Sequence, residues 1–335
     1  MAQGIESGVG GVWQTQQTTS GSRERADATT MKRFRKTGDE GLSVAKTTAA
    51  EEYVDGEAWG TPTMFVDTIG GDVGSLGFQG QIACCAFLFA QACAADVVTG
   101  SGDPYTHTIV TGRSVPADQT IYQKVGNAIG PMRQVFYDAK IGRLTYNAGQ
   151  DQKVVRMTEG IQALRCAEWF TSDPTATDNG EDPLRWDQAV TRINGTALPE
   201  IRGDTIELDA NLGVYRGQTG NPVCFEYGKG AVTSTVESTT TDGTLPEIRR
   251  AIYGTNAPAD GAPVSSDVVY CSLETTYTVS VRRTLTLTRP RVEIRADDWA
   301  FGPRAEGGLI PVAFGGRCLK ADSSTPILRV VALTG

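Results

Sequence analysis

The residues able to do covalent or metal chemistry are few and scattered. The 335-residue chain holds one histidine, His107. Imidazole works as a base or a ligand only when a second group orients it. No such group stands near it in sequence, and no His/Cys cluster has metal-ligand spacing, so His107 reads as structural. The seven cysteines (Cys84, Cys85, Cys93, Cys166, Cys224, Cys271 and Cys318) are odd in number, irregularly spaced and without a C-x-x-C pair. Most sit in apolar runs, where a thiol behaves as a small hydrophobe, so free thiols in a reducing compartment are expected. The loop 173–183 carries four acids, but not at calcium-loop spacing. No Lys follows Gly70, Gly71, Gly74 and Gly77, so they make no phosphate loop and read as a flexible excursion. No nucleophile elbow, zinc-helix motif or dinucleotide fingerprint occurs. The 39 acids allow many spatial carboxylate pairs, and the sequence selects none. The expectation is therefore no catalytic residue, no cofactor, no metal and no enzyme.

What remains is a set of elements rather than a reaction centre. Residues 132–169 read as two long strands joined by a polar turn at 147–151. Val135, Tyr137, Ala139 and Ile141 alternate with Phe136, Asp138 and Lys140, the period of a half-buried strand. Gly142 shifts the phase toward Leu144 and Tyr146, which suggests a bulge. On the return arm Val155 and Met157 alternate with Arg156 and Thr158, and Gly160 interrupts before Ile161. Each arm is about 15 residues against a usual strand of ~5–6 residues. Arms of that length need further strands or other subunits to cover them.

Elsewhere, 81–97 has the best helical stripe, with Ile82, Cys85, Phe89 and Ala92 in phase. A short helix spans 242–253, with Pro246 near its start and Gly254 as its stop. Asn194-Gly195 reads as a hairpin turn. Residues 204–212 alternate cleanly, and 276–288 read as a second long strand with Thr on its wet face, ended by Pro290. The C-terminus alternates loops with apolar strands at 309–314 and 327–333. The fold class is mainly β.

The net charge is −8, with a pI near 4.9, which argues against simple binding to phosphate backbones. The longest apolar run, 82–90, is far short of the ~20 residues of a membrane helix, and the N-terminus lacks a secretory-signal pattern. Residues 1–50 are polar and hold 7 basic and 5 acidic side chains. They read as a flexible basic N-terminal arm on an acidic β-domain, 51–335. The asymmetry makes Arg23, Arg25, Lys32, Arg33, Arg35 and Lys36 candidates for inter-subunit docking, with Gly70, Gly71 and Gly74 in the adjoining loop. A solvated tail is the alternative.

Several motifs stand in a telling order between 50 and 333. Glu51-Glu52-Tyr53 precedes Trp59-Gly60-Thr61-Pro62, and the apolar helix 82–95 follows. Tyr105-Thr106-His107-Thr108 comes after a Gly/Ser/Asp turn. The long hairpin then carries Lys140-Ile141-Gly142-Arg143-Leu144-Thr145 and the Gly149 turn. Asp209-Ala210-Asn211-Leu212 ends a later strand, and Leu287-Thr288-Arg289-Pro290-Arg291-Val292 comes last. In this order the chain resembles the major tail tube proteins of long-tailed bacteriophages, although its basic arm is longer than that family's usual start. The resemblance implies an antiparallel β-barrel or sandwich with one flanking α-helix and long hairpins. It implies subunits that form hexameric rings, stack into a tube and give hairpin strands to an inner barrel through which genome DNA passes without specific binding. The implied partners are further copies of the chain and the tape measure, tail terminator and tail tip proteins. The implied location is the virion tail, assembled in the host cytoplasm without membrane insertion. On this reading the hairpin 132–169 lines the lumen, with Asp138, Asp151 and Glu159 facing DNA and Lys140 and Arg156 as counter-charges. A β-rich virion decoration or receptor-binding module is the alternative.

Overall fold

The computed structural model describes residues 9–18, 31–38, 41–43, 46–51, 63–69, 71–100, 103–111, 115–125, 132–168, 173–178, 181–218, 221–239, 241, 243–263, 265–294 and 311–334. In chain order the elements are β1 (Val9–Gln16), β2 (Lys32–Arg33), β3 (Lys46–Glu51), β4 (Thr63–Ile69), β5 (Gly71–Gln79), α1 (Ile82–Cys93), β6 (Val97–Thr99), β7 (Tyr105–Val110), β8 (Gln119–Val125), β9 (Met132–Gly149) and β10 (Arg156–Glu168). There follow β11 (Thr177–Asp178), β12 (Ala189–Ile193), β13 (Thr196–Ala197), β14 (Gly203–Asp209), β15 (Leu212–Arg216), β16 (Pro222–Tyr227), β17 (Ala231–Thr239), α2 (Leu245–Tyr253), β18 (Val269–Ser280), β19 (Arg283–Ile294), β20 (Pro311–Arg317) and β21 (Arg329–Thr334). The fold is mainly β. A ten-stranded and a seven-stranded sheet share one core with α1, and β3–β4 and β15–β16 form separate two-stranded sheets. Pairing is antiparallel except between β2 and β11, and no closed barrel forms among the described residues.

The organising strand is β9. One of its edges pairs with β10 along nearly its whole length. The other edge is divided, with Met132–Ala139 pairing with β8 and Arg143–Gly149 with β14. The division has a local cause. Asp138 adopts φ 48°, and two residues of β9 oppose Thr120 there. Gly142 is then the extra residue opposite β10, between Ile141 and Arg143. Two bulges so close together bend a strand and raise its twist, so the β8–β1 half turns away from the β14–β17–β20 half. The bulge expected at Gly142 is present. At Gly160 the return strand keeps its phase, with Met157, Glu159, Ile161 and Ala163 all buried.

Four sequence expectations are corrected. The described parts of 1–50 belong to the body. β1 pairs with β8 over Val9–Gln16, Val12, Phe34 and Leu42 lie in the main core, and Trp13 and Met31 pack on Tyr122 and Val135. Fully burying one such side chain contributes about 1.5–3 kcal/mol, and that exceeds what a free polar tail could offer. The described part of the glycine-rich excursion is instead strand β5, paired with β10 and held on its far side by backbone bonds of Arg35, Thr37 and Ser43. The helix 81–97 ends early. Ala94 takes the left-handed conformation that commonly stops helices, and Val97–Thr99 becomes β6. Residues 276–288 are two strands, because the chain turns at Val281-Arg282 between β18 and β19. Pro290 lies inside β19, at a register shift opposite Ser272 where no ladder donor is needed. The turn at Asn194-Gly195, both at positive φ, and helix α2 with Gly254 behind it are as expected.

Candidate assembly surface

The two faces of the long-hairpin sheet differ in chemistry. On the outer face, from β10 across β9 and β14 to β17, run Arg156 and Thr158, then Arg143, Thr145 and Asn147, then Thr205, Glu207 and Asp209, then Thr233, Thr235 and Glu237. The register places Thr158 opposite Thr145, Thr145 opposite Glu207, Arg143 opposite Asp209, and Thr205 opposite Thr235. Hydroxyls and carboxylates, with the guanidiniums of Arg143 and Arg156 among them, thus form a continuous wet wall without a large apolar side chain. Arg143 is 62% exposed and reaches Glu207 diagonally at 2.6 Å. The lower part of this face, beyond the bend, is covered by the β15–β16 hairpin, where Gln162 Nε2 donates to Leu212 O (3.0 Å) and Lys140 lies over the Phe225 ring.

The inner face is mostly apolar, and one charged clamp joins the two main sheets across it. Asp204 on β14 and Arg289 on β19 are fully buried and paired at 2.6 Å. Arg289 Nη2 donates to Thr275 Oγ1 (2.9 Å), Thr275 donates to Asp204 Oδ2 (2.5 Å), and Arg289 Nη1 also reaches Ser234 (3.3 Å). Two buried charges survive only when paired and hydrogen-bonded on their remaining atoms. Here every polar arm except Arg289 Nε finds a partner among the described residues. Beside them Tyr146 and Tyr277 share a 2.5 Å hydroxyl contact across the sheets. Burial raises both phenols well above their ordinary range, so they remain neutral. The clamp fixes how the sheets face one another and is sealed from solvent, so it offers nothing to a substrate. Its partners are 85 residues apart in sequence, which hid the pair from pattern reading.

The lumen candidates separate into two groups. Asp151 and Arg156 are exposed at the hairpin turn. Asp138, Lys140 and Glu159 are buried by their own chain, and the expectation that they face a channel is corrected. Asp138 sits in the β9 bulge, accepting from Gln17 Nε2 (2.6 Å) and pairing with Arg165 (3.1 Å). Lys140 is held by Asp118 (2.8 Å) and Pro116 O (2.7 Å). Glu159 accepts from Gln14 in the core. Glu159 lies two residues from both Met157 and Ile161, so the period-two phase itself marked it as core-facing.

Of the docking candidates, Arg23, Arg25 and Gly70 lie outside the described residues. The others contact their own chain. Lys32 pairs opposite Gln14, Arg33 stacks over Trp13 at 5.4 Å, Arg35 O accepts from Gln79 N (2.8 Å), and Lys36 bridges to Phe78. Gly71 and Gly74 sit in β5 at φ 96° and 111°. These contacts, mostly of the backbone, seat the described N-terminal residues on their own body, while Arg33 and Arg35 stay exposed.

The chemical candidates are placed as follows. His107 does have a partner, contrary to the sequence reading, because Asp96 Oδ2 lies 2.8 Å from its Nδ1. The pair ties the segment after α1 to β7 on the rim of a 960 Å³ cleft lined by Ala83, Ala86, Phe87 and Ala90 of α1 together with residues of β1, β2 and β7. Among the described residues no cluster of ligating side chains accompanies it. In the acidic loop, Glu181 accepts from Ala83 N at the start of α1 (3.2 Å) and pairs with Arg283 (3.0 Å), as suits a carboxylate at a helix N-terminus. Asp173 pairs with Lys124 and Arg133. All seven cysteines are free thiols. Five are buried, and Cys166 and Cys224 are exposed.

Exposed apolar side chains gather at strand edges. The edge strand β6 bears Val97 (61% exposed) and Val98 (52%), with Tyr105 beside them on β7. The β15–β16 hairpin bears Tyr215, Val223 and Tyr227. Unpaired strand edges with apolar side chains are templates for association. No protein-family model matches the chain and no curated protein matches it.

Proposed function

We propose that the chain is a non-enzymatic structural subunit of a bacteriophage tail tube, assembling into hexameric rings that stack around a DNA-conducting lumen. The observation that carries the reading is the hydroxyl- and carboxylate-lined outer wall of the β10–β9–β14–β17 sheet. Its own chain covers the opposite face and, on this one, the part under the β15–β16 hairpin. Apolar side chains are exposed elsewhere on the subunit, on the edge strand β6 of the seven-stranded sheet and on the β15–β16 hairpin. Continuing the ten-stranded sheet from subunit to subunit would pair its end strands and turn the wet wall inward. A wall of hydroxyls and carboxylates leaves passing phosphates hydrated and ungripped. The lumen residues are then Glu207, Asp209 and Glu237, with Asp151 and Arg156 at the hairpin turn. The order of motifs between 50 and 333 supports the same reading. Tape measure, terminator and tip proteins would be its other partners, and the virion tail its location, after assembly in the host cytoplasm.

Sedimentation of purified protein over a concentration series, followed by negative-stain microscopy, tests the reading. Rings or tubes are the expected result. A protein that stays monomeric at the highest concentration overturns it and favours a decoration or receptor-binding module.

A further inference from the structure

Glu159 and Gln14 leave an unusual remainder. Gln14 Nε2 donates to Glu159 Oε1, and both side chains are buried. The two other oxygens of the pair, Gln14 Oε1 and Glu159 Oε2, are also buried and have no partner among the described residues. Both are acceptors when the carboxyl is ionised, so the pair lacks one hydrogen. An ionised Glu159 would be a buried charge answered by a single neutral donor, an arrangement that costs several kcal/mol.

We propose that Glu159 is held as the neutral acid, its Oε2–H donating to Gln14 Oε1 in return, so that one proton seats β1 on the concave side of the sheet. The surroundings agree. The strand neighbours of Glu159 are Leu76 and Leu144, the titratable group facing it from α1 is the Cys84 thiol, and β1 contributes the uncharged amide of Gln14. Burial pushes the carboxyl up from 4.5 to about 8, against a smaller opposing effect of the Gln14 bond. The sign follows from linkage. Between the unfolded and folded values the folded chain holds a proton that the unfolded chain has released. Stability is therefore fully present at low pH, falls as pH rises through that window, and levels off above it. Above the window Glu159 ionises, and the N-terminal strand loses its seat.

Glu159→Gln is the decisive variant, because an amide gives the same two bonds at every pH. The infrared difference between wild type and E159Q is expected to show a protonated-carboxyl band near neutral pH that disappears as the pH is raised. The ratio of the two unfolding constants is expected to change on the order of 10³-fold between about pH 4.5 and about pH 8. An ionised-carboxylate signature at neutral pH, or an unfolding ratio that does not move with pH, overturns the proposal. If E159Q does not fold, Gln14→Leu serves. It keeps the carboxyl and removes both of its hydrogen bonds, so the protonated-carboxyl band is expected to move to higher wavenumber than in wild type, and a band that stays at the wild-type frequency would also overturn the proposal.

Discussion

Asp204 and Arg289 show how far one residue's identity depends on another distant in sequence. Each alone would be a buried uncompensated charge, and together with Thr275 and Ser234 they close a network between the sheets. Asp204→Ala should therefore destabilise the subunit by about 3–5 kcal/mol, since it strands a guanidinium in the core. Replacing both partners by apolar residues, Asp204→Val with Arg289→Met, should cost far less than either single change, because the desolvation penalty disappears with the charges. Urea unfolding of the two single variants and the double variant measures this as a coupling energy. Additive losses would show that the pair contributes no clamp. Nothing in the runs around 204 or 289 announced the partnership, since the alternation of β14 and β19 reads the same whether or not the two side chains meet.

At the scale of elements, two glycines show the difference between a conformational and a packing requirement. Gly195, in the β12–β13 turn, has φ 83° and open space around it, so Gly195→Ala should lose only the backbone contribution, about 1–2 kcal/mol. A Cβ on Gly315 of β20 would stand 2.2 Å from Ser234 O of β17, and one on Gly316 would stand 2.5 Å from Glu293 O of β19. β20 is thus wedged where the two sheets meet and cannot retreat from an added methyl group. Gly315→Ala should cost more than Gly195→Ala, toward or beyond the ~3 kcal/mol of an overpacked core, and the same unfolding experiment ranks them. Legibility in sequence follows from equally local causes. The β9–β10 hairpin was readable because its alternation is long and its turn polar, and Asn194-Gly195 because the turn demands positive φ. The β18–β19 turn was invisible because alternation runs through Val281 and Arg282 without Gly, Asn or Asp. Strand β5 was missed because glycine reads as loop, whereas here positive φ at Gly71 and Gly74 shapes a strand under 35–43. The lumen set failed at three of five positions because the phase break belonged to Asp138 and Gly142 of β9 alone. Glu159 precedes Gly160 and is in phase with Met157, so period two alone put it on the core face.

At the scale of the whole molecule, the proposed tube gives the carboxylates of the outer wall a testable role. Glu207 and Glu237 stand on neighbouring strands of the open face, and rotation about a ring axis would repeat them around the bore. Their influence on passing phosphates extends about one Debye length, ~8 Å at physiological salt, so only charges on this face matter and the buried Asp138 and Glu159 do not. Glu207→Lys with Glu237→Lys should leave the subunit folded. Surface changes of this kind usually stay within about 0.5 kcal/mol, and the Arg143–Glu207 pair that is lost is an exposed one worth ~0–1 kcal/mol. Rings and tubes should still form, because neither residue lies among the apolar edge side chains. What should change is the response to DNA. Wild-type tubes are expected to release double-stranded fragments at low salt, and the doubly substituted tubes to retain them with an affinity that falls steeply as salt is raised, the mark of phosphate contacts made by lysine. Co-sedimentation of labelled fragments with tubes over a salt series reads both. Tubes that bind DNA equally before and after substitution would place this face on the outside and remove the lumen assignment while leaving self-assembly intact.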